Sequence, residues 1–267
     1  MRKLICSFAV AALFASGSVA QQTPPGLLFL IGLRLPHLVA VRSTRHSVTV
    51  TAADGVHLAG NYYSLGKPGP GVLLFHQCSR ERAIWDHIAT TLALSGRNVL
   101  VLNPRGIGDS QGAQWDYDGS LDHALDYWRR NRSGDAESAY QWLVSQPDVK
   151  QDSVVAMGAG CGAFLALLTA ERHYPLVRTV VFFSDFDDDV TRQFLRNSPL
   201  LSILSAVSEQ DPMSFTAAKE IHALSNNPAN RLLSFPEKAH GFGLLEKHPE
   251  LESTVIEWLE ARLGARR

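Results

Sequence analysis

The stretch VVAMGAGCGAFLAL, Val154–Leu167, decides the fold. Val154 to Met157 are apolar and suit a buried strand. Gly158, Gly160 and Gly162 then interrupt it, and Phe164 to Leu167 resume an apolar run with helical character. A strand, a tight glycine turn and a helix are the setting in which a nucleophile stands on a sharp corner, with small residues two before and two after it. Gly158 and Gly162 are those small residues, and the corner itself is Gly160. The same letters, GAGCGA, fit G-x-G-x-x-A, in which a helix N-terminus faces a pyrophosphate. Asp185, about 20 residues further on, stands where that motif places a ribose-binding acid. Against a dinucleotide site, the motif usually opens its domain, and here several strand patterns precede it.

Working outward, HSVTVTAADGVHLAGNYYSLG (46–66) alternates apolar and polar residues around Asp54-Gly55 and predicts an antiparallel hairpin. Short apolar runs follow at GVLLFHQC, NVLVLNPRG, DSVVAMG, VRTVVFFSD, LLSILSAVSEQD and RLLSFPEKAHG. Between them, IWDHIATTLALSG and DAESAYQWLVSQ have helical periodicity, and PELESTVIEWLEARLG closes the chain as a helix begun at a proline. Buried strands alternating with helices predict an α/β fold: a mostly parallel sheet covered on both faces. AQWDYDGSLDHALDYWRRNRSG (113–134) and DFDDDVTRQFLRNSP (185–199) break the alternation at strand carboxyl ends, where such sheets place their ligand crevice. The acidic run Asp185, Asp187, Asp188 and Asp189 lacks the glycine and terminal glutamate of a calcium loop, so no metal is expected there.

The first residues, MRKLICSFAVAALFASGSVAQQ, carry Arg2 and Lys3, an apolar run and small residues ending at Ala20, the layout of a cleaved secretory signal. The expected organisation is a signal over 1–20, an N-terminal arm over 21–45 and one domain over 46–267. The expected location is secreted or periplasmic. Without residues 1–20 the chain has 23 basic and 26 acidic side chains, a formal charge of −3, which excludes the basic surface that nucleic acid requires. The apolar stretch PPGLLFLIGLRLPHLVAVR is interrupted by Arg34, Pro36 and His37, and it falls short of the ~20 residues that span a bilayer.

Downstream of the corner come an acid in SEQDP, Asp211, and a histidine in KAHGFG, His240, in the order that Ser-Asp-His hydrolases use. With LLFHQCSRERAIW, NPRGIGDS, GAGCG and HGFGLLEKHPEL, the chain resembles the α/β-hydrolase superfamily, closest to its dienelactone-hydrolase-like and esterase branch, over roughly residues 46–263. The resemblance implies that His240 is the base and that Asp211 orients it, with Asp185 as the alternative acid. Backbone N–H groups at Gln77 or Cys78 and at Cys161 would bind an oxyanion. No cofactor is implied, and the ligand would be a small ester or lactone.

The departure is Gly160, where the family carries Ser or Cys, so an acyl-enzyme has no atom to start from. Cys161 could act only if the frame shifted by one residue, off the corner and onto the helix. The expectation is a weakly active or inactive hydrolase. The alternative is a non-enzymatic binding module on the same fold, with Trp115, Tyr117 and Trp128 as apolar contacts. After signal removal only Cys78 and Cys161 remain, and in the implied fold both border the oxyanion site, so a Cys78–Cys161 disulfide is expected.

Overall fold

The computed structural model describes residues 44–114, 116 and 118–263. The expected signal and all but the end of the arm lie outside the described residues, as do Trp115 and Tyr117. The hairpin is present: β1 (Thr44–Thr51) and β2 (His57–Ser64) pair antiparallel about the Asp54-Gly55 turn. The remaining strands are β3 (Gly69–Phe75), β4 (Asn98–Leu102), β5 (Val149–Ala159), β6 (Val177–Phe183), β7 (Ser202–Ser208) and β8 (Arg231–Phe235). They form one sheet in the order β1-β2-β4-β3-β5-β6-β7-β8, parallel from β4 onward, while β2 meets β4 antiparallel.

Strand side chains alternate between two layers because successive residues point to opposite faces. Leu73 and Phe75 of β3, with Ala156 of β5, pack under α3 (Ser133–Val144) and α4 (Cys161–His173). Val72, Leu74, Val155 and Met157 pack instead under α1 (Asp86–Leu94) and α8 (Glu250–Leu263), with Trp85 and Trp258. Burial on both faces explains why these strands read as unbroken apolar runs.

The structure redraws three boundaries. The stretch 113–134, read as an insertion, carries α2 (Leu121–Tyr127) and a π-helical turn (Trp128–Arg132) that runs into α3. The stretch 185–199 carries α5 (Asp189–Arg196), started by a capping box between Asp188 and Thr191. The expected strand 200–211 ends at Ser208, and Asp211 becomes the N-cap of α6 (Pro212–Leu224), with Pro212 in the first turn where its missing N–H costs nothing.

Candidate active site

The corner between β5 and α4 keeps the backbone that a nucleophile would need. Gly160 has φ 54° and ψ −124°, a conformation that L side chains rarely adopt and glycine takes at little cost. Its N–H donates to Phe183 O at 2.8 Å and its carbonyl accepts from Ala163 N–H at 2.8 Å, so both sides of the corner are tied down. Gly158 and Gly162 are required by close approach: a Cβ on Gly158 would collide with the Gly162 backbone, and one on Gly162 with that of Phe75. Packing of α4 against β3 and β5 thus accounts for the glycine spacing without any phosphate.

His240 and Asp211 converge on this corner. His240 Nδ1 lies 2.6 Å from Asp211 Oδ2, which leaves Nε2 to face the elbow. A Cβ built on Gly160 would stand 3.1 Å from that Nε2. Burial raises the Asp211 carboxyl, and the His240 imidazole together with the Ser214 hydroxyl and backbone N–H more than offsets it, so the group sits below the usual carboxylate range. Phe186 flanks the imidazole edge-on, with ring centroids 5.9 Å apart. The alternative acid, Asp185, is not placed to serve His240: it is fully buried and accepts from Ser205 Oγ at 2.5 Å.

Burial pushes the Asp185 carboxyl up to about 8. Between the unfolded value near 4 and about 8, the folded acid holds a proton that the unfolded chain has released, so this group's contribution to stability falls as pH rises through that window. Asp185→Asn keeps the neutral hydrogen-bonding shape and removes the titration. Its melting temperature relative to wild type is expected to improve steadily from pH 5 to pH 8, by about 2–4 °C for each kcal/mol recovered. A pH-independent difference between the two proteins would refute this assignment.

Cys78 and Cys161 form a disulfide, with Cα atoms 5.8 Å apart. The bridge joins the loop after β3 to the first residue of α4 and so holds Gln77, Cys78 and Cys161 around the corner. Cys161 N–H belongs to the first turn of α4, where backbone donors have no intrahelical acceptor. Gln77 is fixed on its other side, its Oε1 accepting from Phe242 N–H at 3.1 Å. The bridge also removes Cys161 as a candidate nucleophile while it stays oxidised.

Gln77, Cys78, Cys161 and His240 line one cavity of about 450 Å³. Its walls include Ile107, Leu121, Trp128, Phe186 and Met213, an apolar surround of the kind that small-ligand sites have. Trp128 is the one described member of the three aromatics proposed from the sequence, and it is 6% exposed. Arg132, which the sequence reading missed, also lines the cavity and is 3% exposed. No sequence signal separated it from its neighbours. In WRRNR, Arg129 pairs with Asp188 and Glu171 and Arg130 with Asp126, whereas the π-helical turn carries Arg132 inward.

Among the described residues no group of three or more His, Cys, Asp or Glu is arranged to hold a metal. Asp187 is engaged by Arg192 at 2.6 Å and Asp188 by Arg129 at 2.8 Å. No helix among the described residues is long and apolar enough to cross a membrane.

The profile of the Dienelactone hydrolase family matches residues 63–258. An uncharacterized protein of Mycobacterium tuberculosis is 27% identical over 172 residues, 62% of this chain and 57% of the relative, so the match spans little more than half of that relative's length. Among solved structures, the dienelactone hydrolase of Anabaena variabilis superposes with a TM-score of 0.61 at 18% identity, covering 82% of this chain and 98% of that one. An acetyl xylan esterase of Paenibacillus gives 0.66 at 16% identity, covering 85% and 86%. A dienelactone-hydrolase-like promiscuous phosphotriesterase from metagenomic libraries gives 0.62 at 20% identity, covering 83% and 99%. At these identities the structural likeness shows the fold.

Proposed function

Because this chain belongs to the dienelactone hydrolase family, we propose that it binds a small carboxylic ester or lactone in the cavity beside Gly160 and hydrolyses it weakly or not at all. The observation that carries this reading is the distance of 3.1 Å between His240 Nε2 and the place where a nucleophile's Cβ would be, with glycine there instead. The His240–Asp211 pair can still take a proton from water, since Asp211 holds Nδ1 and leaves Nε2 open toward the corner. Backbone donors at Cys161 and at Gln77 or Cys78 are the groups that would receive the oxyanion. Without a nucleophile, what remains is this activation of water together with binding and oxyanion stabilisation, several powers of ten below a complete triad.

The same reading places the protein outside the cytoplasm, reached through residues 1–20, and the disulfide supports an oxidising compartment. The apolar cavity wall favours a second reading, a binding module without turnover.

One experiment separates these readings. Protein recovered from the exported fraction, with its N-terminus expected at Gln21, is assayed with a p-nitrophenyl ester and melted with and without a non-hydrolysable phosphonate analogue. Turnover that is slow and lost in His240→Ala supports the weak hydrolase. A ligand-dependent rise in melting temperature without turnover supports the binding module. Turnover at ordinary esterase rates by the unaltered protein would overturn the proposal.

A further inference from the structure

The walls of the cavity carry a second reactive group besides the histidine, the Cys78–Cys161 disulfide. Each sulfur has its own anion-stabilising neighbour. Cys161 is the first residue of α4, a helix of 13 residues, where the aligned peptide dipoles favour a thiolate. Cys78 Sγ lies 3.4 Å from Arg132 Nη1. Arg132 is itself 3% exposed, and its Nε has no hydrogen-bond partner. Among the described residues no carboxylate is ion-paired with it, and nearby Asp135 is held by Arg105 at 2.7 Å. The guanidinium lies over the Tyr127 ring at 5.7 Å, a contact that eases its burial but brings no carboxylate to it, so an anion beside it is favoured. The sulfur it already touches becomes that anion when the bridge opens.

We propose that this crevice carries out thiol–disulfide exchange with low-molecular-weight thiols. Cys78 is half-buried and Cys161 is 4% exposed, so the incoming sulfur meets Cys78 first. The thiol gives its proton to His240 Nε2, and its thiolate attacks Cys78 Sγ. The Cys78–Cys161 bond breaks, its electron pair goes to Cys161 Sγ at the helix N-terminus, and a mixed disulfide forms on Cys78. A second thiol attacks the outer sulfur of that mixed disulfide and releases Cys78 as a thiolate beside Arg132. Two thiols are thereby oxidised to one disulfide while the protein disulfide is reduced to a dithiol. An external disulfide reverses the sequence and regenerates the bridge. Leaving groups that are stable as thiolates speed such exchange and stabilise the reduced form, which makes the bridge a better oxidant than the same bridge without these neighbours.

This chemistry makes no use of the missing nucleophile, so it stands or falls apart from the ester reading. The test equilibrates the folded protein in mixtures of reduced and oxidised glutathione. The two cysteines are then alkylated after acid quenching and the oxidised fraction is read by mass. Wild type is expected to be reduced in step with glutathione while near-ultraviolet circular dichroism stays native. Arg132→Gln is expected to shift the equilibrium about tenfold toward the disulfide, and Arg132→Lys to restore most of that shift. His240→Ala is expected to slow the approach to equilibrium at neutral pH without moving its position. Should Arg132→Gln fail to fold, ultraviolet absorbance of reduced wild type decides: a thiolate persisting below neutral pH supports the proposal, and its absence overturns it. A bridge that resists glutathione until the protein unfolds, or equal equilibria in wild type and folded Arg132→Gln, would also overturn it.

Discussion

Gly160→Ser is expected to raise turnover of a p-nitrophenyl ester at least about 100-fold over the unaltered protein, the lower end of what a positioned base contributes to a nucleophile. Everything else the step needs is in place: the corner backbone, an imidazole 3.1 Å from the new Cβ, and Asp211 2.6 Å behind it. The substitution is not free of strain. The new Cβ is 3.1 Å from His240 Nε2 and 3.2 Å from Gln77 Cγ, so both side chains must give slightly, and φ 54° with ψ −124° costs an L residue about 1–3 kcal/mol. Gly160→Ser should therefore melt below wild type while working faster. Gly160→Ala carries the same backbone cost with no hydroxyl and is the proper control. A folded Gly160→Ser no faster than Gly160→Ala would show that His240 and Asp211 are not poised for catalysis.

The second large effect concerns stability. Cys78 and Cys161 are 83 residues apart in sequence, so their bridge restricts a long loop in the unfolded chain. Chain-entropy reasoning for a loop of that size gives about 4.5 kcal/mol, a large share of the 5–15 kcal/mol by which domains are stable. The double variant Cys78→Ala, Cys161→Ala is expected to lower the denaturation midpoint sharply with little change in the dependence on denaturant. A midpoint within experimental error of wild type would rule out the bridge as a main stabiliser. The same double variant in the Gly160→Ser background should lose part of the gained turnover, since the loop carrying Gln77 is then no longer fastened to the helix carrying Cys161.

The elements legible in the sequence were those governed by short-range pattern. The hairpin about Asp54-Gly55 follows from period-two alternation, and β3 to β7 follow from apolar runs too short for helices. The two segments at 113–134 and 185–199 escaped as helices because they are polar and aromatic on several faces. Their buried stripes are short, Ala124 with Trp128 and Thr191 with Leu195, and caps and ion pairs, such as Asp188 with Thr191 and with Arg129, complete their order. The disulfide pairing was reachable once the elbow and the oxyanion loop had been assigned to one site.

By itself the sequence determined that the chain forms an α/β-hydrolase sheet with a glycine at the corner between β5 and α4, because strand runs and glycine spacing are properties of neighbouring residues. Only the tertiary structure decided which acid serves the histidine and which arginine enters the cavity. Asp185 and Asp211 both lie just beyond strand ends, yet one is sealed beside Ser205 and the other reaches His240. Arg129, Arg130 and Arg132 are indistinguishable in WRRNR until a single π-helical turn sends one of them inward. Those outcomes depend on strand order and helix phase, which bring together residues as distant as Gln77 and His240, 163 positions apart, and no local pattern encodes such distances.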